Sequence, residues 1–159
     1  MKFCLDCRLS AQYLKTADQI KVQPRDKDYI YELLEKYPEQ EFILVVNDIP
    51  KEENIQEFKK LDKLSGHRVI FAYNFYPQPE WREDLRWYVN YPVESFSEAK
   101  ALIAQGSEYI RLGSPLAFMI DKVAQLKVSV RLVPNQPYLS MVPRENGICG
   151  QWIRPEDLH

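Results

Sequence analysis

The sequence is poor in the residues on which metal and nucleophile chemistry depend. It has three cysteines (Cys4, Cys7, Cys149) and two histidines (His67, His159) in 159 residues. An odd cysteine count with two members three positions apart is no disulfide framework, and it suits a reducing compartment. The Cys4-x-x-Cys7 pair falls inside a predicted strand, where such residues point to opposite faces, and not at a helix start that would stabilise a thiolate. A zinc site would need Cys149 with His159 or His67, and a second tight pair is lacking, so no metal is expected. Its five glycines form neither a G-x-G-x-x-G nor a G-x-x-x-x-G-K-[ST] loop. No cofactor is therefore expected, and no catalytic residue can be named, since His67 precedes a strand and His159 is terminal.

Other absences bound the class. A formal net charge of −2 lacks the basic excess of a general nucleic-acid binder, so no nucleic-acid partner is expected. No apolar run approaches the ~20 residues of a membrane span. The opening MKFCLDCRLS has no apolar core or cleavage site of a secretion signal. The composition, 45% hydrophobic and 28% charged, is that of a globular chain, read as one domain over 1–159.

What is present is a ladder of short strands and helices. Strands are predicted at 2–7, 19–23, 41–47, 68–74, 86–90, 108–112, 128–133 and 151–154, each rich in β-branched or aromatic residues and followed by Asn, Asp, Gly or Pro. Helical periodicity covers 26–37, 52–64, 97–105 and 115–126, the last opening with Ser114 and Pro115. The stretch 77–84 reads as a loop or one helical turn, and 134–150 as an irregular loop. Alternation of this kind implies right-handed crossovers and a parallel sheet. Eight strands suggest a compact or incomplete β/α (TIM-like) barrel, with an open doubly wound sheet as the alternative. Such barrels usually need ~200–250 residues, so outer helices are expected to be reduced, or the last helix to be missing after Pro155, Glu156 and Asp157.

Sorting the strands by parity gives two faces. One carries Phe3, Leu5, Ile20, Val22, Phe71, Tyr73, Trp87, Val89, Ile110 and Leu112, and is expected to lie under the helices. The other carries Asp6 as its one carboxylate, against Lys21, Arg86, Arg111, Arg131 and Arg154; the third strand is apolar on both faces as far as Asn47. A parallel sheet buried on both sides would read as continuous hydrophobics, and these strands do not. Asp6, Arg86, Arg111, Arg131 and Arg154 are accordingly the candidate pocket for an anionic small molecule, and an internal salt-bridge network is the competing explanation. Tyr73, Phe75, Tyr76 and Trp81, in a proline-rich stretch, are candidate contacts for a protein partner or a second copy.

The KFCLDCR opening, the GSEYIRLGSPLAFMIDKV unit, the VSVRLVPN strand and the closing WIRPEDL resemble a group of uncharacterised proteins encoded by bacteriophages of gut Firmicutes, which share an F/W-I-R-P-E-D-[IL] segment and continue beyond it. Trp152 to Leu158 match that segment. In outline the ladder also resembles the barrel of collagenase-like U32 peptidases, although no peptidase motif carries over. The resemblance implies a phage-associated, non-enzymatic protein, a virion component or accessory binding module in the host cytoplasm or virion. The alternative is an enzyme, or degenerate enzyme, on a β/α barrel.

Overall fold

A computed structural model describes residues 4–112, with Phe96, Arg111 and Leu112 as backbone; the elements expected beyond 112 lie outside the described residues. The strands are β1 (Cys4–Asp6), β2 (Gln19–Val22), β3 (Glu41–Val46), β4 (Val69–Tyr73), β5 (Arg86–Val93) and β6 (Ile110–Leu112). Between them lie α1 (Ala11–Leu14), a 3-10 turn (Pro24–Tyr29) leading into α2 (Ile30–Lys36), α3 (Glu52–Leu64), α4 (Pro79–Arg82) and α5 (Phe96–Ala104). The six strands form one all-parallel sheet in the order β1-β2-β3-β4-β5-β6. The chain is thus α/β, and among the described strands the order never reverses, as it must somewhere in a doubly wound sheet.

Local chemistry sets the element ends. In α3, Ile55, Phe58 and Leu61 recur at helical spacing and are buried. It stops where Gly66 and His67 both take positive φ (66° and 62°), while the His67 N–H bonds back to the Asp62 carbonyl at 2.9 Å. Helix α5 starts one residue before the sequence suggests: Ser95 is the N-cap, and its Oγ accepts from the Glu98 N–H at 3.1 Å. The helix expected over 26–37 is 3-10 in its first half, where Pro24 opens a tight turn. Strand β5 runs past its expected end at Asn90 to Val93. Pro92 is tolerated there because the pairing with β6 shifts register between Val89 and Val93.

Two apolar clusters divide the interior. The larger joins Leu5, Ile20, Val22, Phe42, Leu44, Phe71, Tyr73, Trp87, Val89 and Ile110 to helix residues such as Leu33, Phe58, Leu61 and Leu102. This is the apolar face read from parity, and burying one of its large side chains contributes about 1.5–3 kcal/mol. The second cluster holds Cys4, Ile43, Val45, Ile70, Ala72, Tyr88 and Tyr109, with no helix residue among them. All the described helices that enter a core therefore cover one face, as successive right-handed crossovers in one direction require.

The helix-free face is curled inward. Gln19 of β2 donates from Nε2 to the Tyr109 hydroxyl at 2.6 Å. On a flat sheet those strands would stand four spacings of ~4.8 Å apart, with side chains perpendicular to the sheet and unable to meet. The register also fixes a stagger. The row through Gln19 passes Glu41 and, extended along the pairing, Arg68, Asp84 and Gln105. Tyr109 lies four positions beyond Gln105, so the level rises by one residue per strand. Arg86, two positions beyond Asp84, meets Glu41 two strands away on the same rule. Levels follow from the base upward: Glu41 with Arg86; Gln19 with Ile70 and Tyr109; Cys4 with Ile43 and Tyr88; Lys21 with Ala72; Asp6 with Val45 and Asn90. Burial tracks these levels. The middle ones are almost wholly buried, and polar residues at both ends are partly exposed.

Candidate functional site

The two ends of the curled sheet differ in chemistry. At the N-terminal end of the strands, the Arg86 guanidinium bonds Glu41 Oε2 and Glu108 Oε1, each at 2.5 Å, and the His67 carbonyl at 3.2 Å. Desolvation pulls this guanidinium towards its neutral form, but the bonds to Glu108 and Glu41 outweigh it and hold the charge more firmly than usual. Gln19 bridges Tyr109 to Glu41, and the Tyr88 and Tyr109 rings meet edge-on at 5.5 Å. Burial, reinforced by Glu41, pushes the Tyr109 phenol above its ordinary range. With its cation already matched by two carboxylates, this end is a closed structural network.

The C-terminal end is open and differently equipped. Asn47 and Asn74 follow β3 and β4, and Asn90 lies in β5. The pairing that joins Val46 to Tyr73 and Tyr73 to Val89 sets these three asparagines side by side in one row. Asn90 Nδ2 donates to Asn74 Oδ1 at 2.7 Å, and Asn74 Nδ2 donates to Asn47 Oδ1. The backbone supports the row, since the Asn74 N–H bonds the Val46 carbonyl at 3.0 Å. Lower on the same face stand Asp6 and Lys21, cross-strand partners in register. Asp6 Oδ1 accepts from the Arg8 N–H at 2.9 Å, which orients the carboxylate. Lys21 is half-buried and has no ion-pair partner among the described residues. A cleft of about 200 Å³ opens beside Asn47, lined by Pro24, Lys27, Asp48, Ile49 and Asn54 among others. Parallel α/β sheets place their sites at this end of the strands.

The candidate residues scatter accordingly. Asp6 lies at the open end and Arg86 at the closed one, and among the described residues neither a hydrogen bond nor an ion pair joins them. Arg111 lies in β6 between Ile110 and Leu112, where the pairing with β5 shifts register, while Arg131 and Arg154 lie outside the described residues. Asp6 is also not the one carboxylate of this face: Glu41 opens β3 on it, and Glu108, just before β6, reaches Arg86. Of the aromatic candidates, Tyr73 is fully buried and its hydroxyl donates to the Trp81 carbonyl at 2.6 Å. Phe75 packs edge-on against both Tyr73 and Trp81, which docks α4, and only Tyr76 is well exposed, at 45%.

Sequence reasoning put Asn74 and Asn90 on the polar face and set Asn47 apart as the polar exception of its strand, but named none of the three as a site residue. The signal was the same parity argument that placed the arginines. Among the described residues no group of three or more His, Cys, Asp or Glu could hold a metal ion, and no helix is long and apolar enough to cross a membrane. A larger, shallow recess of about 530 Å³ lies on the helix side, where Trp87 lines it and the Arg82 guanidinium stands 5.2 Å from the indole. Comparison with protein-family models, curated proteins and solved structures finds no match to this chain.

Proposed function

We propose that the chain belongs to a β/α barrel that binds a small polar molecule at the C-terminal mouth of its strands, as an enzyme or a degenerate one. The barrel reading is supported by the rise of one residue per strand, which is the stagger of eight strands closed with a shear of 8. The observation that carries the function is the row of polar residues on the helix-free face. Successive strands carry Asp6, Lys21, Asn47, Asn74 and Asn90 towards that end; Lys21 is level with Ala72 and Asp6 with Val45, and Ile43, Ile70 and Tyr88 lie below them. An apolar floor with a few convergent polar groups is the usual build of a small-molecule site. An anionic ligand would draw on Lys21, with Arg111, Arg131 and Arg154 as further candidates.

A thermal-shift screen of anionic and neutral metabolites tests this. A ligand at about 100 times its dissociation constant stabilises by about 2.7 kcal/mol, and Lys21→Ala or Asn74→Ala should remove the shift while leaving the unliganded melting temperature nearly unchanged. A flat screen would send the search to the second reading, a phage-associated protein-binding module. That reading draws on the resemblance of the WIRPEDL segment and on exposed apolar side chains, Ile49 at 69% and Tyr76 at 45%. Co-purification of a stoichiometric partner, lost in Ile49→Asp, would support it.

A further inference from the structure

We infer that the ligand of this mouth is a neutral, hydroxyl-rich molecule, a sugar or cyclic polyol, held along the asparagine row; the inference rests on the ligand-binding reading above. A carboxamide has two N–H donors and an oxygen with two lone pairs. In the row Asn90 donates to Asn74 and Asn74 donates to Asn47. Asn74 therefore keeps one donor and one acceptor site, and Asn47 keeps both donors and one lone pair. Both residues are exposed, so these groups are accessible. The row is a fixed array of donors alternating with acceptors, set at the strand spacing by backbone pairing and not by flexible side chains.

Only some ligands match such an array. A phosphate or carboxylate brings acceptors alone and would set its oxygens against Asn47 Oδ1 and Asn74 Oδ1. A hydroxyl both donates and accepts, so neighbouring hydroxyls on a ring can serve both kinds of site at once. One exposed aromatic stands near the row: Tyr76 lies two residues beyond Asn74 and is 45% exposed, whereas Tyr91, next to Asn90, packs against the helix-side core. An exposed tyrosine offers an apolar ring face to the C–H side of a sugar while its hydroxyl stays wet. Asp6 and Lys21, in register beneath, supply one acceptor and one donor for a ring substituent pointing into the mouth.

The test is calorimetric titration of the full chain with glucose, galactose, N-acetylglucosamine and myo-inositol, each beside inorganic phosphate. Saturable binding of at least one polyol is expected. Asn74→Asp, which turns the donor in the middle of the row into an acceptor, should weaken it by about tenfold or more, and Tyr76→Ala should weaken it with the row intact. Melting curves of both variants separate lost binding from lost folding, and Asn47→Ala, at the exposed end of the row, serves as the milder substitution. Phosphate binding without any polyol, abolished by Lys21→Ala, would overturn the hydroxyl inference and leave the mouth as an anion site. Binding of neither would overturn both.

Discussion

Arg86 and Lys21 are both cations on the helix-free face, and their settings give them opposite parts. Arg86 lies between Glu41 and Glu108 and its charge is spent there, whereas Lys21 stands nearer the C-terminal end, level with Ala72, with no ion partner among the described residues. The same contrast of setting governs the buried acids. Burial, with Asp6 and Asp26 adding, pushes the Cys7 thiol from its ordinary 9.0 to about 11, and burial likewise raises the phenols of Tyr73 and Tyr109. These groups hold their protons more tightly in the folded chain than in the unfolded one. Their contribution to stability is therefore complete below about pH 9. It is lost as the unfolded chain ionises first, from about pH 9 for Cys7 and from about pH 10 for the tyrosines. Urea midpoints should fall steadily between pH 9 and 11, and Cys7→Ala should flatten the first part of that fall. A midpoint constant to pH 11 would contradict these settings. Cys7 should also resist alkylation at neutral pH, since the thiolate is the reactive form.

At the scale of elements, one side chain ties several together. Arg68, just before β4, donates to the carbonyls of Leu34, Tyr37, Gln40 and Ser65 at 2.9–3.2 Å, and its guanidinium stands 5.6 Å from the Phe42 ring. It thereby satisfies carbonyls at the end of α2, in the turn that follows and at the end of α3, groups that no helical N–H can reach. Arg68→Ala should cost about 3 kcal/mol, because several partly buried carbonyls lose a charged donor together, and Arg68→Lys should recover only part of it. Denaturant unfolding measures both. A loss below about 0.5 kcal/mol for the alanine variant would mean that water replaces the guanidinium at no cost.

At the scale of the whole molecule, curvature brings distant strands together. Gln19 and Tyr109 are 90 residues apart in sequence and three strands lie between theirs, yet their side chains share a hydrogen bond. A double-mutant cycle with Gln19→Ala and Tyr109→Phe should show a coupling of about 1 kcal/mol. Additive effects, within about 0.3 kcal/mol, would place β2 and β6 too far apart to touch and would return the sheet to an open form. The ligand reading of the C-terminal end rests on the same curvature, so the cycle also tests its premise without any ligand.

The sequence by itself determined the order of the described strands, their parallel pairing and the face that meets the helices, because period-2 and period-3.6 patterns are local and survive in a single chain, though it passed over α1. It also placed Asp6 and Arg86 on the helix-free face, and Asn74 and Asn90 with them. It mistook element ends where a neighbouring strand or a cap decides them, as at Ser95 and Val93. Only the tertiary structure decided which end of a strand each polar residue occupies relative to its neighbours' residues, since parity gives a face and says nothing of height. Height comes from register and stagger, which are properties of paired strands. That is why Arg86 joins Glu41 and Glu108 at the closed end, and why Asn47, Asn74 and Asn90 form one row at the open one.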